Sequence, residues 1–239
     1  MYWIILGILL VLGLGFCLWF LWKHVPRYAV LPVLLTVAVN GLAYYVPKLI
    51  PTGIQPVYMG LPIDESIPFC QEFIYIYVLA YFQWAMGWML LARQERSFMN
   101  RRLAGEWISK GICCLFFILL PTIMTRPVPQ GDSFAAFLTR CIYKSDAPKN
   151  LLPSIHCLES WLCFRNALRF KGVPRWYLPL TALMTLLVFA STLLVKQHVL
   201  VDVPAGILAA ELGLFLTNKC RLGGLIERLE APFLKKQAA

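Results

Sequence analysis

His198 and Asp202 stand four residues apart, so on a helix beginning near His198 they share one face. A carboxylate there accepts a hydrogen bond from one ring nitrogen, fixes the tautomer and leaves the other nitrogen free as base or nucleophile. His156 closes the run Pro153-Ser154-Ile155-His156, in which Pro153 and Ser154 suit the start of a helix. The free backbone N–H groups of such a first turn suit a phosphate oxygen. Arg126, ahead of Pro127, adds a fixed positive charge and a planar fork of donors. These parts amount to an anion cradle, a nucleophile oriented by a carboxylate, and a second histidine to protonate a leaving group. Each alone has a plainer structural reading. His-x-x-x-Asp also occurs as a helical hydrogen-bonded pair or in a metal site, and Pro-Ser-x-His is a helix start. The third histidine, His24 beside Lys23, reads as interfacial.

The elements that must position these residues are membrane spans. The chain has 239 residues, 59% of them hydrophobic, with a mean hydropathy of +0.68, too apolar for an ordinary soluble domain. Seven apolar stretches, at about 2–22, 28–48, 71–92, 108–125, 154–170, 176–195 and 199–218, approach the roughly 20 helical residues that cross a bilayer. Period-2 alternation is absent, which excludes barrel strands, and backbone groups in lipid must be satisfied within the segment. The expected fold class is all-α: a polytopic transmembrane bundle with one extra N-terminal span over 1–24, a core over 25–218 and a basic tail over 219–239. The first stretch lacks a preceding basic residue and a small-x-small cleavage signature, so it reads as a retained span. Trp3, Trp84, Trp88 and Trp176 read as interfacial belts and packing.

Lys and Arg cluster in alternate links, around 23–27, 93–110, 165–175 and in the tail, whereas the 49–70 link has none and carries Asp64 and Glu65. The basic side is expected to be cytoplasmic, with the N-terminus outside and the C-terminus inside. The net charge of +10 is this bias, suits anionic headgroups and needs no nucleic acid. The 126–152 link breaks the rule. It falls outside yet holds Arg126, Arg140, Lys144 and Lys149, and its length suits a functional segment with an anionic ligand. The eight cysteines show no metal spacing, and pairing of Cys141 with Cys157 stays open. With this topology Arg126, Pro153–His156 and Ser191…His198…Asp202 all reach the outer face.

At these residues the chain resembles the type 2 phosphatidic acid phosphatase superfamily, whose pattern joins Lys…Arg-Pro, Pro-Ser-x-His and Ser-Arg…His-x-x-x-Asp. The resemblance spans roughly residues 60–215 and implies a six-helix phosphatase core. Leu119 stands at the family lysine and Thr192 at the family arginine; Lys196, Lys144, Lys149 or Arg140 are the nearby cations that could substitute. The same losses occur in the branch of inositol phosphorylceramide and sphingomyelin synthases, which Leu61–Phe69 and Asp146–His156 also resemble. The resemblance implies that His198 attacks phosphorus, that Asp202 orients it and that His156 protonates the leaving oxygen. Arg126, Ser154 and Ser191 would hold the phosphate oxygens, with no metal and no cofactor. The implied partners are membrane lipids, with a phospholipid or isoprenoid phosphate as substrate. The implied activity is a lipid phosphatase of the plasma membrane with an extracytoplasmic site. Alternatives are phospho-headgroup transfer, if a lipid hydroxyl accepts the group, and a non-catalytic lipid binder or transporter.

Overall fold

The structure is a computed structural model, and it describes residues 1–220, 224 and 226–228. Among these it is all-helical. The helices are α1 (Tyr2–His24), α2 (Arg27–Leu49), α3 (Pro62–Ser66), α4 (Ile74–Leu91, after a 3-10 turn at Gln71–Phe73), α5 (Arg96–Leu119), α6 (Phe134–Ser145), α7 (Ile155–Ala167), α8 (Tyr177–Leu194) and α9 (Asp202–Cys220). Four of the described segments are long and apolar enough to cross a membrane: α1, α2, the stretch Gln71–Leu91 and α8. That is compatible with an integral membrane protein. Most of the expected 219–239 tail lies outside the described residues.

Packing centres on α5, α7 and α9. α5 lies against α2, α7 and α9, while α4 and α8 close on α7 from the other side. α1 is apolar all round, mostly exposed, and packs on α4. α5 and α9 approach through small residues. A Cβ at Gly105 would meet the Leu214 side chain at 2.9 Å, and Ser109 Oγ donates to the carbonyl of Gly105 at 2.9 Å. Small residues let helix backbones come close where dispersion, more than hydrophobic expulsion, must hold them.

The fourth expected span needs correction. The helix covers 96–119 rather than 108–125, and residues 121–125 leave it, with Val57 bridging Thr122 and Ile123 bridging Lys149. The shift takes Arg96, Arg101, Arg102 and Glu106 into the helix, where Lys110 was already expected. Lys110, grouped above with the basic link, is 1% exposed and forms an ion pair with the fully buried Glu159 of α7. Trp88 Nε1 donates to Glu106 Oε1 at 2.9 Å. Charges paired inside a bundle are tolerated where lipid would exclude them. Trp84 and Trp88 are likewise buried inside, not in a belt, whereas Trp3 and Trp176 are exposed.

The long 126–152 link is not structureless. Ser133 Oγ accepts from the Ala136 N–H at 3.1 Å and caps α6. The buried face of α6 carries Ala135 and Leu138, which cluster with Ile74, Tyr77 and Val195.

Candidate active site

The end of α5 and the starts of α4, α7 and α9 meet beside the turn from α8 into α9. After α8, Lys196 adopts a left-handed φ of +49°. The N–H groups of Gln197 and His198 then donate to the Thr192 carbonyl at 2.9 and 3.1 Å. This folds the chain back and starts α9 at Asp202. Asp202 Oδ2 accepts from the Val199 N–H and lies 3.0 Å from His198 Nδ1. A carboxylate only accepts, so Nδ1 carries the proton and Nε2 of His198 presents its lone pair. The segment around α3 braces this turn. Asp64 Oδ1 accepts from the Leu200 N–H at 2.7 Å, and Lys196 Nζ donates to the carbonyls of Asp64 and Ile67 at 3.0 and 2.6 Å.

Ser154 is the N-cap of α7, its Oγ accepting from the Cys157 N–H at 3.3 Å. Its own N–H donates to the Asp202 carbonyl at 3.2 Å, which ties the starts of α7 and α9 together. Gly206 permits the approach: a Cβ there would lie 2.5 Å from the Ser154 carbonyl oxygen and 3.2 Å from Cys157 Cβ. The rings of His156 and His198 are consequently 6.3 Å apart, centroid to centroid.

His156 sits in an aromatic cage supplied by one face of α4. Tyr77 stacks on it at 4.1 Å, Tyr81 meets it edge-on at 5.5 Å and Trp84 lies at 4.9 Å. The spacing 77, 81, 84 is that of a single helical face. Tyr77 Oη is 3.4 Å from His156 Nδ1, and Nε2 has no partner within the protein. A hydroxyl both donates and accepts, so it keeps this contact whether the ring is neutral or protonated.

Both histidines line a cavity of about 170 Å³. Its polar wall includes Gln197, Asp146, Lys149 and Asn150, and its apolar wall includes Tyr44, Tyr45, Tyr81, Trp84 and Phe117. Arg126, Ser154, Ser191 and Asp202 are not among the lining residues. Arg126 stands behind the wall, donating through its two terminal nitrogens to the Asp146 carbonyl and to Gln197 Oε1, each at 2.5 Å, with its guanidinium 4.9 Å from the Tyr143 ring. Its Nε is buried without a partner. Ser191 Oγ donates to the Val188 carbonyl of its own helix at 2.8 Å.

The two substituted positions are equally distinct. Leu119 is 66% exposed on the last turn of α5, and Thr192 is fully buried, its Oγ1 donating to the Phe189 carbonyl at 2.8 Å. Of the four substitute cations, Lys149 lines the cavity, while Lys196 is spent on the α3 segment and Arg140 donates to the carbonyls of Pro129 and Gly131. Asp146 also faces the cavity. Burial pushes its carboxyl up to about 6, with positive charge on His198 opposing the shift, and Lys48 Nζ pairs with its Oδ1 at 3.4 Å. Cys141 and Cys157 are both free thiols. Among the described residues no cluster of three His, Cys, Asp or Glu side chains could hold a metal ion.

The chain matches no family model, no curated protein and no solved structure. What fold and site define together is an all-helical protein with membrane-length helices and a paired-histidine cavity at one end of the bundle.

Proposed function

We propose that the protein is an integral membrane lipid phosphatase that hydrolyses a phosphate or pyrophosphate monoester of a lipid through a histidine nucleophile. The observation that carries this reading is the His198–Asp202 hydrogen bond facing His156 across one cavity. In the first step His198 Nε2 attacks phosphorus and the bond to the lipid oxygen breaks. His156, held as the imidazolium by the arriving phosphate anion, gives its Nε2 proton to that oxygen. In the second, water attacks the phosphohistidine, the P–N bond breaks, His198 recovers its lone pair and His156 takes the proton from water. Lys149, Gln197 and the first turn of α7 face the anion, and Arg126 supports the wall through Gln197 and Asp146. The apolar wall suits the start of an acyl or prenyl chain.

The resemblance to the type 2 phosphatidic acid phosphatases supports the same chemistry. It implies a six-helix core of α2, α4, α5, α7, α8 and α9, an extracytoplasmic cavity and a cytoplasmic C-terminus, in the plasma membrane. Headgroup transfer is the second reading, favoured by the charge of the cavity: one lysine faces it together with the Asp146 carboxyl, a weaker match for a dianionic monoester than for a singly charged phosphodiester. The test is a lipid substrate panel on purified protein with a chelator present. Histidine-dependent phosphate release from phosphatidic acid or an isoprenoid pyrophosphate supports the first reading, and turnover only with an added acceptor lipid supports the second. Equal rates for wild type and His198→Ala would refute both, and lipid transport by that variant without turnover would point to a carrier.

A further inference from the structure

A second charged cavity lies at the opposite end of the bundle, where α4 ends and α5 begins. Its volume is about 340 Å³, and Arg101, Arg102, Arg169 and Lys171 line it together with Glu95 and Phe98. The cations come from two separate segments, the first turns of α5 and the stretch after α7. Gln94, itself buried, holds the segments together: its Oε1 accepts from the Lys171 N–H at 2.8 Å and its Nε2 donates to the Lys171 carbonyl at 3.2 Å.

Among the described residues the carboxylates do not balance this set: Glu95 alone lines the cavity, against four cations. Glu211 is taken by a two-pronged pair with Arg165, reinforced by Trp161 Nε1 at 2.8 Å. Glu95 accepts from the Ser97 hydroxyl. Arg102 stands with Arg101, Arg165 and Arg169 as positive neighbours and Glu211 opposing them. A topology signal requires basic residues on one side of a membrane, but it does not require them to converge on one concavity from two segments. Four like charges held together raise the local potential and draw a counter-anion. Arg, with its planar fork, matches phosphate oxygens. Arg102 also covers the Phe98 ring at 5.1 Å, placing an apolar surface beside the charge.

We propose that this cavity is a binding site for a phosphate-bearing anion, separate from the histidine cavity and independent of its chemistry. The phosphate can come from an acidic phospholipid headgroup or from free phosphate, and the two differ in whether an acyl-bearing group is attached to it. The full chain in neutral detergent is titrated with inorganic phosphate and, separately, with dioctanoyl phosphatidylinositol phosphate, on wild type, Lys149→Gln and Arg101→Gln/Arg169→Gln. At about a factor of five or more per basic contact, the double variant should weaken binding by tenfold or more. Lys149→Gln, in the other cavity, should leave that component in place. Loss for the lipid alone assigns a headgroup site, and matching loss for inorganic phosphate assigns a free-anion site. Should the double variant fail to fold, Lys171→Gln at the exposed rim carries the same test with about a fivefold loss. Absence of binding by wild type, or equal binding by wild type and these variants, overturns the proposal.

Discussion

Gly206→Ala tests how closely the two histidine-bearing helices must pack. The added Cβ would stand 2.5 Å from the Ser154 carbonyl oxygen, where ordinary contact begins at 3.4 Å. That oxygen is backbone and also accepts the Leu158 N–H at 3.0 Å, so it cannot rotate away. α7 and α9 must separate by roughly 0.9 Å to remove the overlap. The Ser154 N–H contact to the Asp202 carbonyl lies in that seam, and so does the spacing of His156 to His198. Misplacement of reacting groups by about 1 Å costs on the order of 10²-fold in rate. Overpacking should destabilise by about 1–3 kcal/mol, partly offset by the gain of about 1 kcal/mol from replacing glycine in a helix. Gly111→Ala is the control, since a Cβ there meets nothing within 4 Å, and it should stabilise α5 at unchanged activity. The assay is His198-dependent lipid phosphate release alongside thermal unfolding in detergent. A Gly206→Ala protein as active as wild type and as stable as Gly111→Ala would refute the claim that this contact sets the histidine spacing.

Ser154→Ala should lose about 1 kcal/mol of stability through its cap, seen as a lower Tm, with little change in KM; a large rise in KM would instead assign its hydroxyl to phosphate. Asp146→Asn should gain stability relative to wild type as pH rises. The wild-type carboxyl goes from an ordinary 3.8 to about 6 in the folded protein, so the folded state binds the proton more tightly. The stabilisation that proton provides is full below the unfolded value and lost as pH passes about 6. The difference between the variants should therefore open between about pH 4 and pH 7, to at most about 3 kcal/mol. A pH-independent difference would show that burial does not govern this group. Lys110→Met strands the Glu159 carboxylate and should cost about 3–5 kcal/mol, read as lost folded yield, with the double change Lys110→Met/Glu159→Leu recovering much of it.

Hydropathy located α1, α2, α4, α8 and α9 to within a few residues because each turns apolar surface outward. It misplaced α5 because Glu106 and Lys110 of that helix are paired with Trp88 of α4 and Glu159 of α7, and a one-dimensional scale cannot distinguish charge facing protein from charge facing water. The His198–Asp202 pair was legible because a four-residue spacing is a local property of a helix. The Tyr77–Tyr81–Trp84 cage was not, since α4 is apolar all round and its sequence does not mark which face meets α7. The 77, 81, 84 spacing was the available signal. Ser154 was legible as a helix start, and the structure gives its hydroxyl that same local use. Gln197 and Asp146 gain their place from Arg126, a contact made across long sequence separations that spacing alone does not encode.

The central claim is that His198 carries the phosphoryl group. Protein turning over a lipid phosphate labelled at phosphorus, quenched in base and digested, should yield an acid-labile label on the peptide containing His198. The label should be absent from His198→Ala. A label on His156, or steady turnover with none on any histidine, would contradict the account.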